Sequence, residues 1–237
     1  MKKLVAWVLV LVLLCVGLTG CGEKRTKESV IRELRTQNSD NDKVKFYNLD
    51  WLSTKEELED KIDEEAGEDT YDITYQIQTN VNDKIEILDY SYHNKDNDKP
   101  LMKIGGYDVE SLYVKYIHYK SDEKNSNLQY LYEISINYMK EAISDNMVED
   151  IHKQLKDKYI EKYYAEQYEY EIGGRFKDEN NNEVYLGYTK EHNYKDSNGE
   201  MSHINPHFYL KYTCYDIDEY CYNERNKQKE KNNSNGL

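Results

Sequence analysis

The chain has 237 residues, with 46 acidic against 32 basic side chains and a formal net charge of −14 at pH 7. Such an acidic protein is repelled by nucleic acid phosphates and by anionic lipid, which argues against both as ligands. The length is sufficient for one large domain or two small ones with a substantial hydrophobic core.

The N-terminus has the pattern of a targeting signal. Two lysines precede an apolar run over residues 4–16, which is too short to span a bilayer and has the length of a signal-peptide core. The sequence Leu18-Thr19-Gly20-Cys21 follows, and it resembles the lipobox of bacterial lipoprotein signal peptides. This resemblance implies that residues 1–20 are removed and that lipid on Cys21 anchors the protein to the extracytoplasmic face of the cell membrane.

The mature chain divides by composition. Residues 21–43 form the lipid anchor and a polar tether, whose short apolar stripe is too small to dock firmly. An ordered body is expected over 44–222, as one domain or divided near residue 140, with Trp51 as a core anchor. The tail over 223–237 has almost no apolar side chain, which predicts disorder.

The body begins with a helix and continues with strands. A hydroxyl residue followed by glutamate three positions later predicts a helix start at Ser53, and good helix formers continue to Ala66. Apolar alternation then predicts four strands, at 71–78, 85–92, 112–120 and 128–139. In the last of these, alternation places Leu128, Tyr130, Tyr132, Ile134, Ile136 and Tyr138 on one face.

After these strands, the spacing of apolar residues changes from that of a strand to that of a helix. Apolar residues recurring every four positions predict an amphipathic helix from Asp145 to about Lys162. Further strands are predicted at 168–176, 184–192 and 207–215. Runs of consecutive strands that each follow a single helix indicate an α+β fold with antiparallel sheets and two main helices. The order also suggests two helix-then-sheet units, similar in architecture alone to cystatin-like or NTF2-like folds.

Two cysteines remain after lipidation of Cys21 and loss of the signal. A tight hairpin turning at Ile217 and Asp218 would place Cys214 opposite Cys221, within the Cα separation that a disulfide accepts. We therefore predict this disulfide, which can persist outside the cytoplasm. Two unpaired thiols are the alternative.

Three patterns have partial metal-binding character. The sequences Asn94-x-Asp96-x-Asp98 and Asp178-x-Asn180-x-Asn182 share the start of a calcium loop, but both lack its later glycine and glutamate. We interpret them as turns. The histidines that could meet at a sheet edge are the remaining weak candidates: His192, His203 and His207. No metal or cofactor is therefore predicted.

The 25 tyrosines are the most unusual feature of the composition. Exposed tyrosines suit carbohydrate or peptide binding, although the alternating patterns favour tyrosine as a filler of half-buried strand positions. No nucleophile, zinc or phosphate-loop motif is present. We therefore expect a binding or interaction module for a protein or a small polar ligand. The alternatives are a docking subunit of a secretion or conjugation complex and an envelope hydrolase.

Overall fold

The computed structural model describes residues 34–35, 42–120, 129–168, 170–195 and 198–234. The proposed signal peptide, Cys21 and most of the predicted tether lie outside these residues. The described α-helices are α1 (Lys55–Ala66), α2 (Asp145–Lys158) and α3 (Tyr215–Ser234), and a short 3₁₀ helix spans Lys140–Ala142. The described strands are β1 (Tyr71–Asn80), β2 (Ile85–Asn94), β3 (Met102–Ile104), β4 (Tyr107–Tyr119), β5 (Gln129–Tyr138), β6 (Ile160–Tyr168), β7 (Glu171–Lys177), β8 (Glu183–Thr189), β9 (His192–Lys195), β10 (Met201–Ile204) and β11 (His207–Thr213).

The core of the fold is a nine-stranded sheet in which every described pairing is antiparallel. Its strand order is β1-β2-β4-β5-β11-β8-β7-β6, and β3 pairs with β4. Strands β9 and β10 form a separate hairpin. The predicted α+β fold with an antiparallel sheet is confirmed.

The chain follows the same order of elements twice. Helix α1 precedes the strands β1, β2, β4 and β5, and helix α2 precedes β6, β7, β8 and β11. The last strand of each series pairs with the other, from Tyr209 opposite Asn137 to Thr213 opposite Glu133. The sheet is therefore continuous across the boundary that the sequence suggested near residue 140.

Local sequence signals explain both helix starts. Thr54 caps α1 in a reciprocal capping box with Glu57, one residue later than predicted. Ser144 caps α2 by accepting a hydrogen bond from the backbone N–H of Met147. Helix α2 ends at Lys158 rather than near Lys162, because β6 begins at Ile160. The sequence did not predict the start of this strand, since the four-residue spacing of the helix was extended into it.

Helices α1 and α2 lie on the same face of the sheet. Cross-strand pairing puts one row of side chains on this face: Tyr92, Leu112, Ile136, Leu210, Leu186 and Gly174. The Tyr92 hydroxyl donates to Glu59 of α1, at 3.4 Å. At the other end, Tyr188 donates to Asp145 of α2, at 2.9 Å. We call this the helix-covered face and the opposite side the open face.

The predicted single face of β5 is wrong because the strand contains a bulge. Glu133 lies opposite Lys115, but Leu131 lies opposite Tyr116, so Tyr132 is an extra residue. Beyond the bulge the faces exchange, and Tyr130 lies on the side opposite α1 and α2, where it is buried at 1% exposure. Leu128 lies outside the described residues.

The C-terminal end differs most from the sequence prediction. Residues 214–221 do not form a hairpin, because helix α3 begins at Tyr215 and continues to Ser234 through the tail that was predicted to be disordered. Cys214 and Cys221 are both buried and both free, so the predicted disulfide is not formed. A helix separates residues seven apart by about 10 Å, beyond the reach of a disulfide. None of the described helices is long and apolar enough to cross a membrane.

The two thiols should be inert in the native state. Burial raises the pKa of Cys214 and of Cys221 to about 12, and the thiolate is the reactive form. In a soluble form that begins at Gly22, we expect iodoacetamide to add no label in buffer and two labels in urea, as measured by intact mass. Rapid labelling of the folded protein would contradict this burial.

Candidate functional site

The register of the strands defines three rows of residues on the open face, two that run from β1 to β6 and a third from β1 to β7. The first row is Asp72, His93, Ser111, Asn137, Tyr209, Gly187, Gly173 and Ala165. The second is Thr74, Ser91, Tyr113, Ser135, Lys211, Tyr185, Arg175 and Tyr163. The third is Ile77, Asp89, Lys115, Glu133, Thr213, Glu183 and Lys177.

Tyrosine rings are spread over this face. Tyr113 and Tyr163 are each 41% exposed, whereas Tyr185 and Tyr209 are half-buried. The rings of Tyr185 and Tyr209 lie 5.8 Å apart, and the Arg175 guanidinium lies 5.8 Å from the Tyr185 ring centre. Burial is the main cause that raises the pKa of Tyr209 to about 12, and the nearby Tyr185 contributes a smaller part. These contacts hold the rings in defined orientations.

Gly187 allows Tyr209 to lie against the sheet. A Cβ atom at position 187 would be 2.4 Å from Cε1 of the Tyr209 ring, so any side chain there displaces the ring. Gly173 lies opposite Gly187 in the same row, and Ser111 lies further along that row on β4. The spacing of these small residues follows from register and is not visible as a sequence motif.

Charged side chains of both signs lie in the second and third rows, and several are paired. Lys115 Nζ lies 2.6 Å from Glu133, whose other oxygen accepts from Thr213 at 3.5 Å. Glu183 lies 3.6 Å from both Arg175 and Lys177. The three rows contain four cations and four carboxylates: Lys115, Lys177, Arg175, Lys211, Asp72, Asp89, Glu133 and Glu183. The charges within these rows are therefore balanced on a strongly acidic protein, and Glu171 and Asp218 add carboxylates at their border.

Two depressions open on this face. One, of about 180 Å³, lies over β7, β8 and β11 and is bounded by Lys211, Thr213, Tyr215 and Asp218. The other, of about 240 Å³, lies over β2 and β4 near Tyr113. Helix α3 contributes Asp218 to the first and so borders the face at one end. The arrangement offers rings, hydroxyls and paired charges to a ligand along the strands.

Two carboxyl groups of this region have altered acidity. Burial raises the pKa of Asp89 and of Asp218, and the nearby carboxylate of Glu133 raises both further. The lysines Lys115 and Lys211 oppose the shift at Asp218. Such carboxyls keep a proton to a higher pH than ordinary aspartates, which is a property of general acids.

The Asp218 shift predicts a pH dependence of stability. The pKa of Asp218 in the folded protein exceeds its unfolded value, so its favourable contribution is complete below about pH 4 and is lost as pH rises through the folded pKa. Asp218→Asn should therefore increase the free energy of unfolding at pH 7 but not at about pH 3. Urea unfolding at both pH values measures this. An equal change at both would contradict it.

Two histidine candidates for a metal site lie on the β9–β10 hairpin, whereas the third, His207, lies on the open face with its ring 5.6 Å from that of Tyr209. His192 in β9 has Nδ1 2.8 Å from the Lys190 carbonyl, and His203 in β10 has Nε2 3.2 Å from Glu191. His207 begins β11, opposite Thr189. Across the described residues, no three His, Cys, Asp or Glu side chains are grouped to hold a metal ion.

The first calcium-like segment forms a turn. The Asn94 side-chain oxygen accepts from the backbone N–H of Asp96 at 2.8 Å, and its amide nitrogen donates to the carbonyl of Pro100 at 2.9 Å. Lys99 lies 3.1 Å from Asp96. These contacts are those of a polar turn.

The second calcium-like segment instead joins a buried network that fastens the predicted tether to the body. Asp178 accepts from the backbone N–H groups of Lys43 and Val44, each at 3.0 Å. Asn180 and Asn182 both donate to Asp42 at 2.7 Å. Arg35 completes the network, with contacts to Asp42 at 2.9 Å and to Asp216 of α3 at 3.3 Å.

The folded body therefore begins before residue 44. Leu34 is 1% exposed, and Arg35 and Asp42 are also buried, although the sequence placed all three in the tether. The sequence contains the Asp-x-Asn-x-Asn pattern, but its partners lie over 130 residues away, as with Asp42 and Asn180. No local pattern indicates that pairing.

Comparison with protein-family models, curated proteins and solved structures finds no match to this chain. The described architecture is that of an α+β protein with α1 and α2 on one face of its sheet and α3 at one end of the other face.

Proposed function

We propose that this protein is a membrane-anchored extracytoplasmic binding module whose ligand lies on the open face. The lipobox sequence ending at Cys21 supports the anchor. The observation that carries the binding role is a set of four tyrosines among balanced charges on a face that α1 and α2 leave uncovered: Tyr113, Tyr163, Tyr185 and Tyr209.

The chemistry of this face favours a neutral, hydroxyl-rich ligand such as an oligosaccharide of the cell envelope. Tyrosine rings supply flat apolar contact and a hydroxyl in one side chain. Charged groups that are already paired, such as Lys115 with Glu133, can share hydrogen bonds without attracting ions of one sign. The depressions over β7, β8 and β11 and near Tyr113 offer places for such a ligand to bind.

Titration of the soluble form that begins at Gly22 against a panel of uncharged oligosaccharides tests this proposal. We expect saturable binding by calorimetry, weakened about tenfold by Tyr113→Ala or Tyr185→Ala, since truncation of an aromatic contact costs more than about 1 kcal/mol. Tyr222→Ala is the matched control, because this 60% exposed tyrosine lies on α3. Binding that is absent, or insensitive to both open-face variants, would refute the proposal. Binding of extended peptides alone would change the ligand class.

The hydrolase alternative rests on one observation, the raised pKa of Asp89 and of Asp218 beside Glu133. The same titrations, analysed by mass spectrometry for cleaved products, distinguish it. Cleavage that is lost in Asp218→Asn would assign an enzyme, whereas binding without cleavage supports the binding module.

A further inference from the structure

Strand β1 ends the sheet with an edge that lacks the usual protection. Within the described residues, β1 pairs with β2 alone. Over ten residues it contains one charged side chain, Asp72, and no proline or lysine. Three large apolar side chains on it are exposed: Ile73 at 39%, Tyr75 at 49% and Ile77 at 55%.

The opposite edge, β6, shows how the same fold protects a strand. It carries Glu161 and Lys162, and its pairing with β7 shifts register twice. Charges and bulges of this kind discourage the addition of another strand. Strand β1 has a single register shift, between Tyr75 and Ile77. Strand β1 should therefore accept an additional strand more readily than β6.

We propose that β1 binds an extended segment of a basic polypeptide, which adds to the sheet as a further strand. The unpaired backbone edge supplies hydrogen bonds, and side-chain contacts on both faces supply specificity. Ile73 and Tyr75 lie on the helix-covered side, opposite Tyr92 and Tyr90 of β2, whereas Ile77 lies on the open side, opposite Asp89. An incoming strand with alternating apolar residues would contact both sets.

Charge identifies the partner as basic. Helix α1, which ends just before β1, has seven acidic residues against two lysines. Burial raises the pKa of Tyr71 at the start of β1. The nearby carboxylates of α1 raise it further: Asp63, Glu59 and Asp60. A second copy of this chain fits less well, because each copy carries a net charge of −14. A lysine-containing or arginine-containing strand complements this edge.

A labelled peptide tests the proposal on the soluble form that begins at Gly22. The probe is about nine residues long and alternates valine with lysine and threonine, and fluorescence anisotropy measures its binding. We expect saturable binding that the double variant Ile73→Lys with Ile77→Lys weakens at least tenfold. Ile160→Lys on β6 is the matched control, since Ile160 is 50% exposed on the protected edge, and it should leave binding unchanged.

Two further peptides separate strand addition from nonspecific attraction. Methylation of alternate backbone nitrogens removes the peptide's hydrogen-bond donors and should abolish binding. Replacement of its lysines by glutamates should weaken binding about tenfold. The proposal is overturned if no peptide binds saturably, if the methylated peptide binds equally well, or if the β1 double variant binds normally. A dimer of the protein that the same double variant dissociates would assign the edge to a second copy instead.

Discussion

Arg35→Ala should lower the free energy of unfolding by about 3–5 kcal/mol, because it removes one partner of a buried ion pair. The Arg35 and Asp42 side chains are only 3% and 2% exposed, and Arg35 also contacts Asp216. Without the guanidinium, the buried carboxylates of Asp42 and Asp216 lose the cation that they share. Urea unfolding followed by the fluorescence of Trp51 measures the loss.

Lys43→Ala is the control for this prediction. Lys43 forms an ion pair with Glu179 beside the network, but their side chains are 58% and 62% exposed. Exposed pairs of this type contribute about 0–1 kcal/mol. Comparable losses from Arg35→Ala and Lys43→Ala would show that the segment around residue 35 does not pack as described.

Leu210→Ala should lower the free energy of unfolding by about 2–5 kcal/mol, through lost burial and the cavity left behind. Leu210 is 2% exposed and lies between Ile136 of β5 and Leu186 of β8, where the two series of strands meet. Because the sheet is continuous there, we expect a single transition. Trp51 fluorescence and circular dichroism should give the same midpoint.

Lys211→Ala provides the comparison at the neighbouring position. Lys211 points to the open face and is 39% exposed, so its loss should cost less than about 1 kcal/mol. Two separate transitions in Leu210→Ala, one for each probe, would contradict a sheet that folds as one unit.

Elements with strong local signals were predictable from sequence. The alternating runs that became β1 and β2, and the period-four run of α2, begin at their predicted positions. Alternation did not indicate that β1 is an edge strand whose side chains are mostly exposed. Helix α3 was missed because its hydrophobic positions are few. Ile217 and Cys221 are nevertheless buried, so packing rather than amphipathic pattern holds its start.

The candidate site was less predictable than the fold. Tyr113 lies in the same row as Tyr185 only because β4, β5, β11 and β8 pair in that order and register. Sequence alternation assigns a tyrosine to one of two faces but does not say which face the helices cover. Tyr92 and Tyr116, which are fully buried, and the exposed Tyr113 occupy similar local patterns. Long-range pairing distinguishes them.

Nuclear magnetic resonance of ring-labelled tyrosines during titration with the oligosaccharide panel tests the binding role of the open face most directly. Individual signals can be assigned by Tyr→Phe substitution. We predict that ligand shifts the signals of Tyr113, Tyr185 and Tyr209 and leaves those of the buried Tyr92 and Tyr116 unchanged. Shifts confined to Tyr75 on β1, or no shift of any open-face tyrosine by a ligand that binds, would contradict the assignment of the site.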